Sequence, residues 1–215
     1  MEEKIMTDME YLTPKSPKVI ALYNAVIALL REGADLTRLK VSDIAAEAGI
    51  GKGTTYDYFK SREELIVKAI LYRIYRDFQE ICRRIEQAED FRSKIDIFLD
   101  LVFETGCPDK KLFEQYMQFC TNSRSLPLRF REELLKCAFP IEEIRDFGKL
   151  LYEYAAEEGI VPKGLSLYYI QTAFLNLMLS YALYCHPHPC AKQEDVLTKE
   201  DVKQRLYENL VYMLR

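Results

Sequence analysis

From Ile66 to Ile85 an apolar residue returns every third or fourth position: Ile66, Ile70, Ile74, Phe78, Ile81 and Ile85. That is the period of an α-helix with one buried face, and the stripe alone spans roughly 30 Å. Just before it, Ser61-Arg62-Glu63-Glu64 reads as a capping box, a serine hydroxyl and a glutamate placed to satisfy the first turn. The same period recurs along the chain. Ser16-Pro17 supplies an N-cap and a proline at the first helical position, Val19, Tyr23, Val26, Ile27 and Leu30 follow at helical spacing, and Gly33 closes the segment. Short helices are predicted at 41–48 and from about Gly51 to Phe59, and longer ones at 91–105, 109–122, 127–138, 140–158, 165–184 and 198–214. Sustained strand alternation is missing, and only 8 Gly and 8 Pro punctuate 215 residues. The fold class is all-α.

Residues 48–59, AGIGKGTTYDYF, hold three glycines and a lysine within five positions. A phosphate-binding loop of the Gly-x-x-x-x-Gly-Lys-Ser/Thr kind must follow a strand. Here Gly53 stands where the hydroxyl residue belongs, and the preceding SDIAAEA is helical, so that chemistry is set aside. A helix-turn-helix fits better. Two steeply crossing helices must approach closely, and Ala45 and Ala48 are small. Gly49 can take the left-handed conformation that ends a helix, and Ile50 is an apolar plug for the turn. A second helix from Gly51 then presents its free first-turn amides, followed by Thr54, Thr55, Tyr56 and Tyr58, with Phe59 left for the core.

With these residues in register, the stretch LKVSDIAAEAGIGKGTTYDYFKSREEL resembles the DNA-binding signature of the TetR/AcrR family of one-component transcriptional regulators, over roughly residues 17–66. Three positions depart from the family pattern: Gly51 where Ser is frequent, Thr55 where an aliphatic residue is usual, and Lys40 where Thr often caps the short helix. The resemblance implies a three-helix DNA-binding domain over 1–62, with 1–15 a flexible tail. A long helix would join it to a ligand-binding and dimerisation domain over 63–215. It also implies that double-stranded operator DNA meets Lys40, Ser42, Gly51, Lys52, Gly53, Thr54, Thr55, Tyr56, Tyr58 and Lys60. Arg62 joins Lys52 and Lys60 as a cation flanking the recognition helix, suited to phosphate.

The formal charge of −4 does not oppose this. Residues 12–62 carry eight Lys/Arg against five Asp/Glu, a local +3, whereas 63–215 carry 21 against 25. The field at the contact surface matters more than the sum.

In the remainder, LSLYYIQTAFLNLMLSYALYC (165–185) has no charged residue. It is long enough for a membrane span, but Gln171, Thr172, Asn176 and two serines dilute it, and its flanks lack a Lys/Arg asymmetry. A helix apolar all round can instead be buried between a domain core and a second subunit. The resemblance favours a homodimer built on the last two helices, with Tyr168, Leu175, Leu179, Val202, Leu206 and Leu210 in the seam. Aromatic and sulfur side chains suit a pocket for an apolar or aromatic effector, with Phe103, Phe113, Tyr116, Met117, Phe147, Tyr152, Phe174 and Asn176 as candidate walls. At each of these positions, ordinary helical core is the competing account.

Cys185-His186-Pro187-His188-Pro189-Cys190 holds both histidines. Cys185, His186, His188 and Cys190 could ligate a soft metal, although four ligands in six residues wrap an ion poorly and the prolines suit a connecting loop. The six cysteines (82, 107, 120, 137, 185, 190) are scattered as in a reducing compartment, and MEEKIMTDME lacks a secretory design, so a cytoplasmic protein is expected. No catalytic triad or cofactor fingerprint stands out, so neither an enzyme nor a cofactor is expected. The leading function is a ligand-responsive DNA-binding repressor without a membrane anchor. The alternatives are a metal- or thiol-responsive regulator using the 185–190 loop, or a helical enzyme with an accessory N-terminal domain.

Overall fold

The computed structural model describes residues 10–104, 126–137, 141–185 and 197–215. Among them lie a 3-10 turn at Glu10–Leu12 and nine α-helices: α1 Pro17–Arg31, α2 Val41–Glu47, α3 Lys52–Tyr58, α4 Arg62–Glu86, α5 Phe91–Glu104, α6 Leu128–Lys136, α7 Ile141–Glu157, α8 Leu167–Cys185 and α9 Lys199–Met213. The described residues contain no strand, so the all-α class holds. The helix predicted over 109–122 lies outside the described residues.

The chain divides into two compact units. The first takes the described residues up to 78 together with 126–137, and the second takes 79–104, 141–185 and 197–215. This division differs from a boundary at residue 62. Leu65, Ile66, Val67, Ala69, Ile70, Leu71 and Tyr72 of α4 fill the same core as α1 and α2, and so do Leu126 and Phe130 from far downstream. Nor is the N-terminal stretch wholly a free tail. Tyr11 and Leu12 are buried in that core, with the Lys68 ammonium 6.0 Å from the Tyr11 ring centre. A tyrosine-leucine pair supplies enough apolar area to anchor one turn of an otherwise polar segment.

Tyr23 sits at the centre of the first unit, its ring 5.7 Å from Phe59 and 5.1 Å from Tyr72. α2 ends in a Schellman motif: the Gly49 N–H donates to the Ala46 carbonyl and the Ile50 N–H to that of Ala45, with Gly49 at φ +64°. A Cβ at Gly49 would be strained by the backbone alone. Ile50, on the far side of the turn, packs against the core. α4 starts at the predicted cap, where the Glu64 N–H donates to Ser61 Oγ at 3.0 Å. The returning Glu64 carboxylate accepts from the Lys60 N–H at 2.7 Å, one residue upstream of a standard capping box.

In the second unit α8 packs on α7 and α9, and α5 contacts all three. Phe98 and Phe147 lie 5.6 Å apart, and a Cβ at Gly148 would come within 3.3 Å of the Phe174 ring. Lys94, the one buried lysine among the described residues, caps the carboxyl end of α4. Its ammonium donates to the carbonyls of Ile85 and Ala88 and lies 4.5 Å from the Tyr154 ring centre.

Candidate nucleic-acid interface

α2 and α3 contact one another across the Gly49 turn, with Val41, Ile44 and Ala45 of α2 buried. α3 is oriented by Thr55 and Phe59, four residues apart and both buried. Tyr56 (51% exposed) and Tyr58 are thereby left on solvent, along with Lys40, Ser42, Gly51, Lys52, Gly53 and Lys60, while Thr54 is half-buried. Lys40 and Gly51 are the N-cap residues of α2 and α3, and neither supplies a side-chain cap.

Two expectations are corrected here. Thr55 is only 1% exposed and faces the core, so its hydroxyl cannot meet a base. It occupies the inward position where an aliphatic residue would sit, and its Oγ1 has no hydrogen-bond partner among the described residues. Arg62 is engaged inside the protein. Nη1 donates to the carbonyls of Thr37 (2.9 Å) and Leu39 (3.3 Å), and Nε and Nη2 donate to Glu63. The guanidinium carbon lies 5.5 Å from the Phe130 ring centre. Sequence reasoning missed this role because its partners are two backbone carbonyls and a ring 68 positions away.

Gly51 and Gly53 differ from Gly49. Gly51 has φ −63°, Gly53 is not among the positive-φ glycines, and a Cβ at Gly53 would meet nothing within 4 Å. Neither the backbone nor packing requires glycine at these two positions.

Of the candidate pocket walls, Phe113, Tyr116 and Met117 lie outside the described residues, as does the side chain of Phe103. Phe147 and Phe174 are close-packed core. Tyr152 is buried, its hydroxyl donating to the Pro162 carbonyl at 2.6 Å and accepting from the Leu165 N–H at 3.1 Å. Tyr152 thus clips the loop after α7, and also lines a cavity of about 370 Å³ with Ala156, Leu165, Leu167, Ile170 and the charged Lys149, Glu153, Glu157 and Lys163. Asn176 was expected in the pocket wall but is exposed on α8, where it accepts from the Ser180 hydroxyl at 3.4 Å.

The proposed seam divides in two. Val202, Leu206 (8% exposed) and Leu210 are buried within the chain itself, so they are not a free dimer face. Their stripe on α9 is used up in the core of the second unit. Tyr168, Leu175 (56% exposed) and Leu179 lie on solvent along α8 at i, i+7 and i+11. No helix among the described residues is long and apolar enough to cross a membrane. His186, His188 and Cys190 lie outside the described residues, as does the side chain of Cys185.

Short paired helices, a left-handed glycine turn and a second helix with a cationic and aromatic outer face define a helix-turn-helix unit. Residues 32–69 match the model of the bacterial regulatory proteins of the tetR family. It is 26% identical over 154 residues to the uncharacterized HTH-type transcriptional regulator YerO of Bacillus subtilis, covering 63% of this chain and 49% of YerO. It is 32% identical over 88 residues to YvdT of the same organism, covering 41% of this chain and 45% of YvdT. The chain thus spans about half the length of the curated relatives it matches. Its fold is that of the fatty acid degradation regulator FadR from Bacillus halodurans (TM-score 0.60, 19% identity, 93% of this chain and 96% of that one). It is also that of Bacillus subtilis FadR in complex with stearoyl-CoA (TM-score 0.61, 15% identity, 91% and 97%).

Proposed function

We propose that this chain is a cytoplasmic, sequence-specific transcriptional repressor, not an enzyme, that binds operator DNA as a homodimer and is released by a small apolar or aromatic molecule. The outer face of α3 carries this reading. Lys52, Tyr56 and Tyr58 are turned outward while Thr55 and Phe59 are turned in, and Lys60 is exposed just beyond the helix. Gly51 and Gly53, required by neither backbone angle nor packing, leave the start of α3 open to close approach by a phosphodiester chain. Lys52 and Lys60 would take phosphates, and Tyr56 and Tyr58 would reach the major groove.

The homodimer reading rests on the exposed apolar stripe of α8, which one chain leaves uncovered. α4 is the element able to link the ligand region to the DNA-reading head, because it is one continuous helix from Arg62 to Glu86. An effector can act only by binding one arrangement of the heads better than the other. Since a protein of this fold binds stearoyl-CoA, long-chain acyl-CoA thioesters are the first compounds to test, followed by apolar and aromatic molecules.

Selection of duplexes from a random pool tests the reading directly. A twofold-symmetric site should be enriched, and a true effector should bind the DNA-bound protein more weakly than the free protein. Recovery of no preferred duplex would sink the regulator reading. Compounds that stabilise the protein but leave DNA affinity unchanged would mean binding without a switch.

A further inference from the structure

Arg62 stands at the first position of α4, where Nε and Nη2 of its guanidinium donate to the neighbouring Glu63 carboxylate and the rest of the group has two further contacts. On one side Nη1 holds the carbonyls of Thr37 and Leu39, in the loop that enters α2. That loop is already folded on itself, since the Asp35 carboxylate accepts from the Thr37 N–H and hydroxyl at 2.7 and 2.6 Å. Leu39 directly precedes Lys40, the N-cap residue that supplies no side-chain bond to α2. The Arg62 grip therefore fixes the carbonyls of the loop that leads into α2, while the first-turn N–H groups of that helix, which need an acceptor, receive none from a capping side chain. On the other side the guanidinium lies on the ring of Phe130, fully buried in α6. α6 is seated by a stripe, with Leu126 and Phe130 buried and Leu134 and Cys137 packed against the same core.

We propose that Arg62 is a positioning residue for DNA recognition, locking the entry of α2 to the start of α4, and that Phe130 makes the lock depend on how α6 is seated. This rests on the DNA-binding reading above. A guanidinium suits the task because its planar fork spans two carbonyls while its face stacks on a ring, which an ammonium cannot do. Displacement of Phe130 removes the surface on which the face of the fork rests and leaves Glu63, one residue along the same helix, as its remaining side-chain support. The α2–α3 pair then loses a fixed tie to α4, and the presentation of α3 loosens. The 126–137 segment would thus act on DNA affinity without touching DNA.

The test uses the full chain with Arg62→Lys, Phe130→Leu and both together. Affinity is read against salt for the duplex recovered by selection and for a random-sequence duplex, and amide exchange of residues 37–47 is read on the free protein. Each single variant should weaken the selected duplex by about tenfold while leaving the random duplex and the salt slope unchanged. The double variant should be no worse than the worse single, because the two residues act as one unit. Exchange over 37–47 should quicken in all three. Unchanged affinity and exchange would overturn the proposal, and so would additive losses. A slope reduced by about one counterion per subunit, with both duplexes weakened alike, would make Arg62 a phosphate contact instead. If Phe130→Leu does not fold, Arg62→Lys decides by the same three readouts. If selection enriches no duplex, the regulator reading fails, while exchange in the free protein still judges the lock.

Discussion

Thr55 and Lys60 sit five positions apart and are fated differently by burial. The Thr55 hydroxyl is buried without a partner among the described residues, a cost that valine of nearly the same shape would avoid. Thr55→Val is expected to raise stability by up to about 1 kcal/mol in urea unfolding and to leave DNA affinity unchanged. A loss of affinity would put that hydroxyl at the DNA after all. Lys60 is exposed, and only its backbone N–H serves the fold, through Glu64. Lys60→Ala keeps that bond, so the protein should remain folded. The variant should bind all duplexes more weakly, with a salt slope reduced by about one contact per subunit. An unchanged slope would remove Lys60 from the interface.

At the scale of the element, α4 is secured at both ends by side chains that behave as fixed caps. Burial pushes the Glu64 carboxyl up, but the Lys68 ammonium at 2.6 Å and the Lys60 N–H outweigh it and hold Glu64 below the ordinary glutamate value of 4.5. A depressed value means that stability from this cap is complete above pH 4.5 and is lost as the pH falls through the folded value. Glu64→Gln should therefore cost about 0.5–1 kcal/mol at pH 7. The gap to wild type should begin to close below pH 4.5 and be gone once the pH has fallen past the depressed folded value, where both side chains are neutral. Thermal unfolding across pH 3–7 measures this, and a gap independent of pH would remove the charge from the cap. At the far end Lys94 occupies the carbonyls of Ile85 and Ala88, and α5 is started by Glu158, which accepts from the Phe91 N–H at 2.7 Å. The start of α4 was visible in sequence as a cap, and its course as a stripe running to Ile85. The lysine that closes it was not, because its function depends on the chain turning back after Glu86.

For the whole molecule, the two halves of the expected dimer seam make opposite predictions. Leu175→Glu with Leu179→Glu places charge on the exposed face of α8, so sedimentation should show folded monomers that no longer hold a twofold-symmetric duplex. A variant that stays dimeric would locate the interface elsewhere. Leu206→Glu places a charge in the core of the second unit, so it should cost roughly 3 kcal/mol or more and appear as a lowered thermal midpoint. A folded Leu206→Glu protein of unchanged midpoint would contradict the packing of α9.

What the amino-acid order determined by itself is local. Helical periods placed α1, α4, α7, α8 and α9 within a few residues of their ends, because a 3.6-residue repeat and its caps act over one or two turns. The turn at Gly49 and the inward Phe59 were legible for the same reason. An apolar stripe, by contrast, says that a face will be covered but not by what. Leu206 and Leu210 met their own chain, whereas Leu175 and Leu179 were left open, and only packing decides between these. Likewise a surface arginine beside a recognition helix has the same spelling whether it meets a phosphate or a carbonyl. Tertiary structure brought Thr37, Leu39 and Phe130 within reach of Arg62 and so determined what its charge is spent on.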